Sequence, residues 1–190
     1  MTPPELPITT LKAEHQVILR VIQVLMRLVE RFEAGAGFER TALRQCVEFF
    51  RLFADACHHG KEEDLLFPVL ESRGIPREGG PIGVMLYEHQ IARQLTRDMA
   101  EALEGVEAGE TSARSRFANT ARQYQDLLTQ HIFKEDNVLF QMGDRVMPLE
   151  EQSSLGVRFC EVNCRMFEGR RREELESMAN ELEEHWGRSD

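Results

Sequence analysis

Two stretches of this 190-residue chain carry nearly the same chemistry. Residues 58–67 read HHGKEEDLLF and residues 131–140 read HIFKEDNVLF. Each sets a histidine four residues ahead of a glutamate, His58 with Glu62 and His131 with Glu135. On a helix, positions i and i+4 share a face, so each pair can aim one imidazole and one carboxylate at the same point. His59 is one step round from His58 and three before Glu62, so these three can fan around one point. A second phrase also recurs: Ala13-Glu14-His15-Gln16 parallels Tyr87-Glu88-His89-Gln90. The offsets are 73 residues for the longer phrase and 74 for the shorter, so the chain reads as a duplicated helical hairpin.

The elements that must position these groups are helical. Apolar residues recur at Leu11, Ile18, Ile22, Leu25, Val29 and Phe32 with helical period. This predicts a helix capped by Thr9 or Thr10 and ended by Gly35 and Gly37. A second helix begins near Phe38–Thr41 and runs past Leu66, with Pro68 marking its last turn or a kink. Residues 72–83, with two prolines and four glycines, form the central loop. A third helix covers 83–107 and a fourth 111–141, and Pro148 closes the region. Short turns after the first and third helices imply antiparallel neighbours. The expected fold is therefore all-α, an antiparallel up-down-up-down four-helix bundle over residues 9–145 with a C-terminal helical extension over 148–187. The extension is strongly charged, and Gly169 is a natural break in it. It can fold back on the bundle or pair with another copy to make a homodimer through the C-terminal helix.

The heights of the histidines agree. His15 lies 20 residues before the Gly35 turn and His58 lies 23 after it. His89 lies 20 before Gly109 and His131 lies 22 after it. At ~1.5 Å per residue all four stand roughly 30 Å from their turns, in one layer. A lone helical histidine is ordinarily a surface or packed residue, and one His-x-x-x-Glu pair is a weak ion pair worth about 0.2–0.5 kcal/mol. Five of the six histidines on one level are another matter. Burying that many polar groups without partners costs several kcal/mol, and a metal is the partner that removes the cost. The convergent set is His15, His58, His59, Glu62, His89, His131 and Glu135. Imidazole with carboxylate suits Fe, Zn, Cu or Ni, and the lack of thiolate argues against structural zinc. Seven donors are too many for one ion, and two irons bridged by Glu62 and Glu135 fit better. Ferritin-like sites use Glu-x-x-His and more carboxylate, which this chain does not.

These motifs resemble the hemerythrin-like proteins with their HHE cation-binding domain. The resemblance rests on EHQ at 14–16, HHGKEEDLLFP at 58–68, YEHQ at 87–90 and HIFKEDNVLF at 131–140, and covers about residues 9–145. It implies a non-haem di-iron centre in a four-helix bundle. It further implies a role in carrying or sensing O2, sensing iron, or handling nitric oxide or peroxide damage. There are departures. O2 carriers place a second histidine four residues after the first on the third helix, and here that position is Arg93. Carriers also tend to end in His-x-x-x-x-Asp; Asp136 has that spacing from His131, but the internal repeat favours Glu135. His59 can replace the missing histidine from the neighbouring helix. Two six-coordinate irons offer about twelve positions. Two bridging carboxylates, an oxo or hydroxo bridge and five histidines leave one open; without His59 two are open.

Composition narrows the partners. With 33 acidic against 23 basic residues the net charge is −10, which disfavours nucleic acid and anionic lipid. No apolar run approaches the ~18 residues a membrane span needs. The N-terminus MTPPELPITT lacks the pattern of a signal peptide, and Cys46, Cys57, Cys160 and Cys164 show no disulfide framework. A cytoplasmic protein with reduced thiols is expected. Cys57 and the Cys160/Cys164 pair read as core, Lys61 and Lys134 as solvated, Phe67 and Phe140 as core beside the site, Tyr87 and Tyr124 as outer hydrogen-bond donors, and His185 as exposed. Two functions compete: a module that binds or senses O2 or iron, and an enzyme acting on peroxide or nitric oxide or repairing iron centres. Iron storage ranks last.

Overall fold

The computed structural model describes residues 6–187, and every helix or strand element among them is a helix. Four long helices come first: α1 (Pro7–Glu33), α2 (residues 40–72), α3 (Pro81–Glu107) and α4 (residues 113–146). The extension adds α5 (Leu149–Asn163) and α6 (Arg172–Trp186). α1 starts earlier than Thr9 or Thr10. Pro7 occupies its first turn, where a missing N–H costs nothing, and the Thr10 hydroxyl donates to the Leu6 carbonyl at 3.3 Å instead of capping. Pro68 neither ends nor breaks α2. It follows Glu62–Leu66, where the ladder has already shifted to i→i+5 hydrogen bonds, and the helix continues to Ser72.

The repeat extends to the helix ends. α1 and α3 each span 27 residues. Gly35 and Gly109 follow them with φ of 81° and 80°, a left-handed conformation that a side chain would resist. In both turns the next residue's N–H reaches back to the helix: Ala36 to the Arg31 carbonyl and Glu110 to the Gly105 carbonyl, each at 2.9 Å.

The long helices enclose an aromatic-rich core that includes Phe49, Phe53, Phe67, Phe117 and Phe140, all fully buried. The extension folds back onto α1 and α2, with Leu155, Phe159, Leu175 and Leu182 buried. Arg170 donates to Glu48 at 3.0 Å, and Arg31 lies over the Trp186 ring at 5.4 Å. Gly169 (φ 85°) turns the chain between α5 and α6. Cys160 and Cys164 are exposed, contrary to the core reading, because the apolar stripe of α5 runs through Leu155, Phe159 and Val162. No described helix is long and apolar enough to cross a membrane.

Candidate metal centre

The seven sequence-selected residues meet in the interior, and all are buried. They form two overlapping groups. His59, Glu62, His89 and His131 make one, and His15, His58, Glu62 and Glu135 the other; in each, the potential donor atoms lie within 4.8 Å of one another. Glu62 belongs to both. Its Oε1 stands 3.5 Å from His58 Nε2 and its Oε2 3.5 Å from His89 Nε2, so the carboxylate spans the two groups. Glu135 Oε2 lies 3.2 Å from His15 Nε2 and 3.3 Å from His131 Nε2.

A feature missed from the sequence surrounds this set. Every one of the five imidazoles gives its outer nitrogen, Nδ1, to a carboxylate. His15 meets Asp136 at 2.9 Å, His58 meets Glu14 at 2.9 Å and His59 meets Asp55 at 3.3 Å. His89 meets Glu63 at 2.7 Å and His131 meets Glu88 at 2.9 Å. An Nδ1–H held by a carboxylate fixes the tautomer and leaves the Nε2 lone pair facing inward. The pairing crosses the repeat. Asp136 from the second hairpin holds His15 of the first, and Glu63 from the first holds His89 of the second. Phe140 stacks on His15 (5.5 Å, 5°) and Phe67 on His89 (5.9 Å, 17°), giving each group an apolar wall.

Of the inner atoms, His89 Nε2 and His131 Nε2 lie 3.1 Å apart, while others have no partner. Both oxygens of Glu62 and of Glu135, His15 Nε2 and His59 Nε2 are buried without a hydrogen bond. Orphaned buried carboxylates are expensive, and these converge with imidazole lone pairs, which is the donor set a divalent cation completes. A scan of family models agrees: the hemerythrin HHE cation-binding domain matches residues 6–143. The chain belongs to this family. Among curated relatives, an uncharacterized protein of Mycobacterium tuberculosis is 27% identical over 166 residues, 86% of this chain and 64% of that one. A Mycobacterium bovis protein matches equally. The iron-sulfur cluster repair protein YtfE of Edwardsiella ictaluri is 28% identical over 136 residues, 70% of this chain and 61% of that protein. The match thus spans less than two thirds of the length of these relatives.

In this hemerythrin-family chain the ionisation states follow from burial and pairing. Burial works to lower the His15 pKa, but the hydrogen bond to Asp136 and the close negative charge of Glu135 outweigh it and lift His15 to about 9. Burial holds His58 and His89 well below the usual imidazole range, helped by neighbouring histidines, and lowers His59 against the opposing pull of Asp55. Glu62 is pushed well above the carboxylate range by burial and by Glu135, whereas Glu135 is lowered because His131 and His15 overcome its burial. Without metal, then, burial and Glu135 favour the protonated form of Glu62, and a cation would favour the carboxylate.

The wide turns explain His59. In an ordinary α-helix His58 and His59 diverge by about 100°. Phe50–His59 is i→i+5 bonded, and this broader winding brings both side chains to the interior. The one-residue excess between the Gly35 turn and His58, against the Gly109 turn and His131, is the trace of that bulge in the sequence.

Two lysines need correction and contrast. Lys61 is not solvated: its side chain is 0% exposed, paired with Glu14, donating to Asn163 Oδ1 at 2.9 Å and lying 5.7 Å from the Phe159 ring centre. Lys134 makes the matching pair with Glu88 but is 37% exposed. Asn163 and Phe159 belong to α5, so the extension seals only one half. Tyr87 is 65% exposed and faces away from the site, while Tyr124 is buried against Phe50. His185 is exposed, as expected.

Proposed function

We propose that this chain is a non-haem di-iron protein, built as an up-down-up-down four-helix bundle, that binds or senses O2 through His15, His58, His59, Glu62, His89, His131 and Glu135. The observation that carries the reading is the Glu62 carboxylate, whose two oxygens face different histidine groups as a bridging ligand would. Imidazole and carboxylate in this ratio suit iron. The imidazoles divide unevenly, three in the His59 group and two beside Glu135 in the other, so each group would offer four donor residues to an ion. Two irons would supply the redox change and the open position that a small ligand needs. The chain's own residues do the rest. The carboxylate partners keep the imidazoles aimed inward, Phe67 and Phe140 exclude water, and the buried Lys61–Glu14 pair anchors His58.

A second reading, action on peroxide or nitric oxide or repair of iron centres, is favoured by the resemblance to the relative named as an iron-sulfur cluster repair protein. Protein from iron-fed cells should contain about two irons per chain with near-ultraviolet absorption from a bridged pair. After reduction, a reversible O2-dependent spectral change supports the binding or sensing role. Rapid consumption of peroxide or nitric oxide supports the second. Zinc alone, or a single iron, would overturn both.

A further inference from the structure

The two hairpins are alike at the metal centre but not in the grooves beside it. α1 and α3 correspond at an offset of 74 residues, so Ile18, Ile22 and Met26 match Ala92, Thr96 and Ala100. Ile18 and Ile22 are buried and Met26 packs on the core, filling their groove. The three smaller residues on α3 leave a cavity of about 250 Å³ against α2, walled by Val47, Phe50 and Tyr124. His59 closes its inner end, 1% exposed and with Nε2 free of any hydrogen bond.

The charges differ too. Arg51, Arg93 and Arg97 line this cavity. On α1, the positions matching Arg93 and Arg97 are Leu19 and Gln23. Arg93 is committed: its Nε donates to Asp55 at 2.7 Å and its Nη2 to Glu63 at 2.8 Å, the carboxylates that hold His59 and His89. Arg51 pairs with Glu168. Among the described residues Arg97 donates only to the neutral Gln94, at 2.7 Å, and has no carboxylate partner, in a chain that is otherwise acidic. Asp55, the acid lining the cavity, is already shared by Arg93 and His59.

The geometry points to a second ligand site: we propose that the α2–α3 cavity binds a small organic anion, its apolar body against Phe50, Ala92, Ala100 and Tyr124 and its charge on Arg97. Its volume equals about eight waters at ~30 Å³ each, far beyond a diatomic gas. It also adjoins the histidine group with three imidazoles rather than the one with two. The ligand is therefore distinct from any O2-sized molecule at the centre. Because Asp55 and Arg93 line the cavity and also hold His59, an occupant would touch the groups that orient this part of the centre.

The test is equilibrium dialysis of radiolabelled benzoate against the full chain as purified, with metal content measured on the same samples. One benzoate per chain is expected. The double variant Ala92→Ile/Ala100→Met, which copies Ile18 and Met26, should weaken it at least about tenfold. Arg97→Gln, an exposed change that leaves packing alone and copies Gln23, should weaken it at least about threefold, and neutral benzyl alcohol should not compete. No benzoate binding, or equal binding by wild type and both variants, overturns the inference. Benzoate binding lost in the variants of a protein that holds no iron would leave the cavity standing and remove the di-iron reading instead.

Discussion

The two hairpins carry the same working phrase and bury it differently. In the first, the Lys61–Glu14 pair lies beneath Phe159 and Asn163 of the extension, with Arg172 3.4 Å from Glu14. In the second, the equivalent Lys134–Glu88 pair reaches solvent. The first hairpin's own helix α1 fills its groove with Ile18, Ile22 and Met26, while α3 leaves one hollow and lines it with arginine. The repeat supplies six matching donors; a seventh donor side chain (His59), a covering helix and a cavity make the halves unequal. Symmetric chemistry at the centre is compatible with asymmetric access to it.

The sharpest way to break this comparison is at the shared carboxylate. Glu62→Ala should remove more than about half of the bound metal, since both groups use Glu62. Glu135→Ala should spare the ion held by His59, His89 and His131. Elemental analysis checks this, and equal losses would mean that the two groups are not separate positions.

The next effect is on stability. Lys61→Met takes the ammonium partner from the buried Glu14, which keeps His58 and the more distant Arg172, and should cost about 1.5–3 kcal/mol. Lys134→Met removes a partly exposed pair and should cost less than about 1 kcal/mol. Thermal melts should therefore separate the two variants by about 5 °C. Matching melting temperatures would show that the extension does not change what the lysine contributes.

Arg93→Leu, which copies Leu19, frees Asp55 and Glu63 from their shared cation. Loss of such an outer support should weaken metal binding about 10- to 100-fold, read by competition with a chelator. An unchanged affinity would mean that the histidines need no help from Arg93.

The smallest effect separates two ionisable groups. At pH 7 the metal-free site holds a proton on His15, raised to about 9, and burial favours the protonated form of Glu62, whose pKa is raised. His58, His59 and His89 are lowered and already neutral. Metal uptake should then release at least about one proton per chain, from His15, with Glu62 adding to it, and should tighten as pH rises until His15 has titrated near 9. A pH indicator in weak buffer measures this. No proton release would show that Glu62 and His15 are already deprotonated in the metal-free protein.

Much of the site was legible because it is local. His-x-x-x-Glu spacing places both groups on one helical face whatever the rest of the chain does, and the repeat offsets put the histidines on one level. The partners of Nδ1 were not legible. Glu14 and Glu88 sit in the repeated phrase beside His15 and His89, yet they serve His58 and His131 on other helices. Lys61 read as solvated because lysine within an acidic phrase normally is; only α5 folding over it reverses that.

The sequence alone determined the helical class, the duplication and the seven candidate donors, because periodicity and i, i+4 spacing act within one element. The tertiary structure decided which carboxylate orients which imidazole, that His59 faces inward, which lysine is sealed and which groove is hollow. Apart from the local His59–Asp55 pair, those outcomes depend on side chains more than 25 residues apart meeting across helices, and on volumes that no single helix defines.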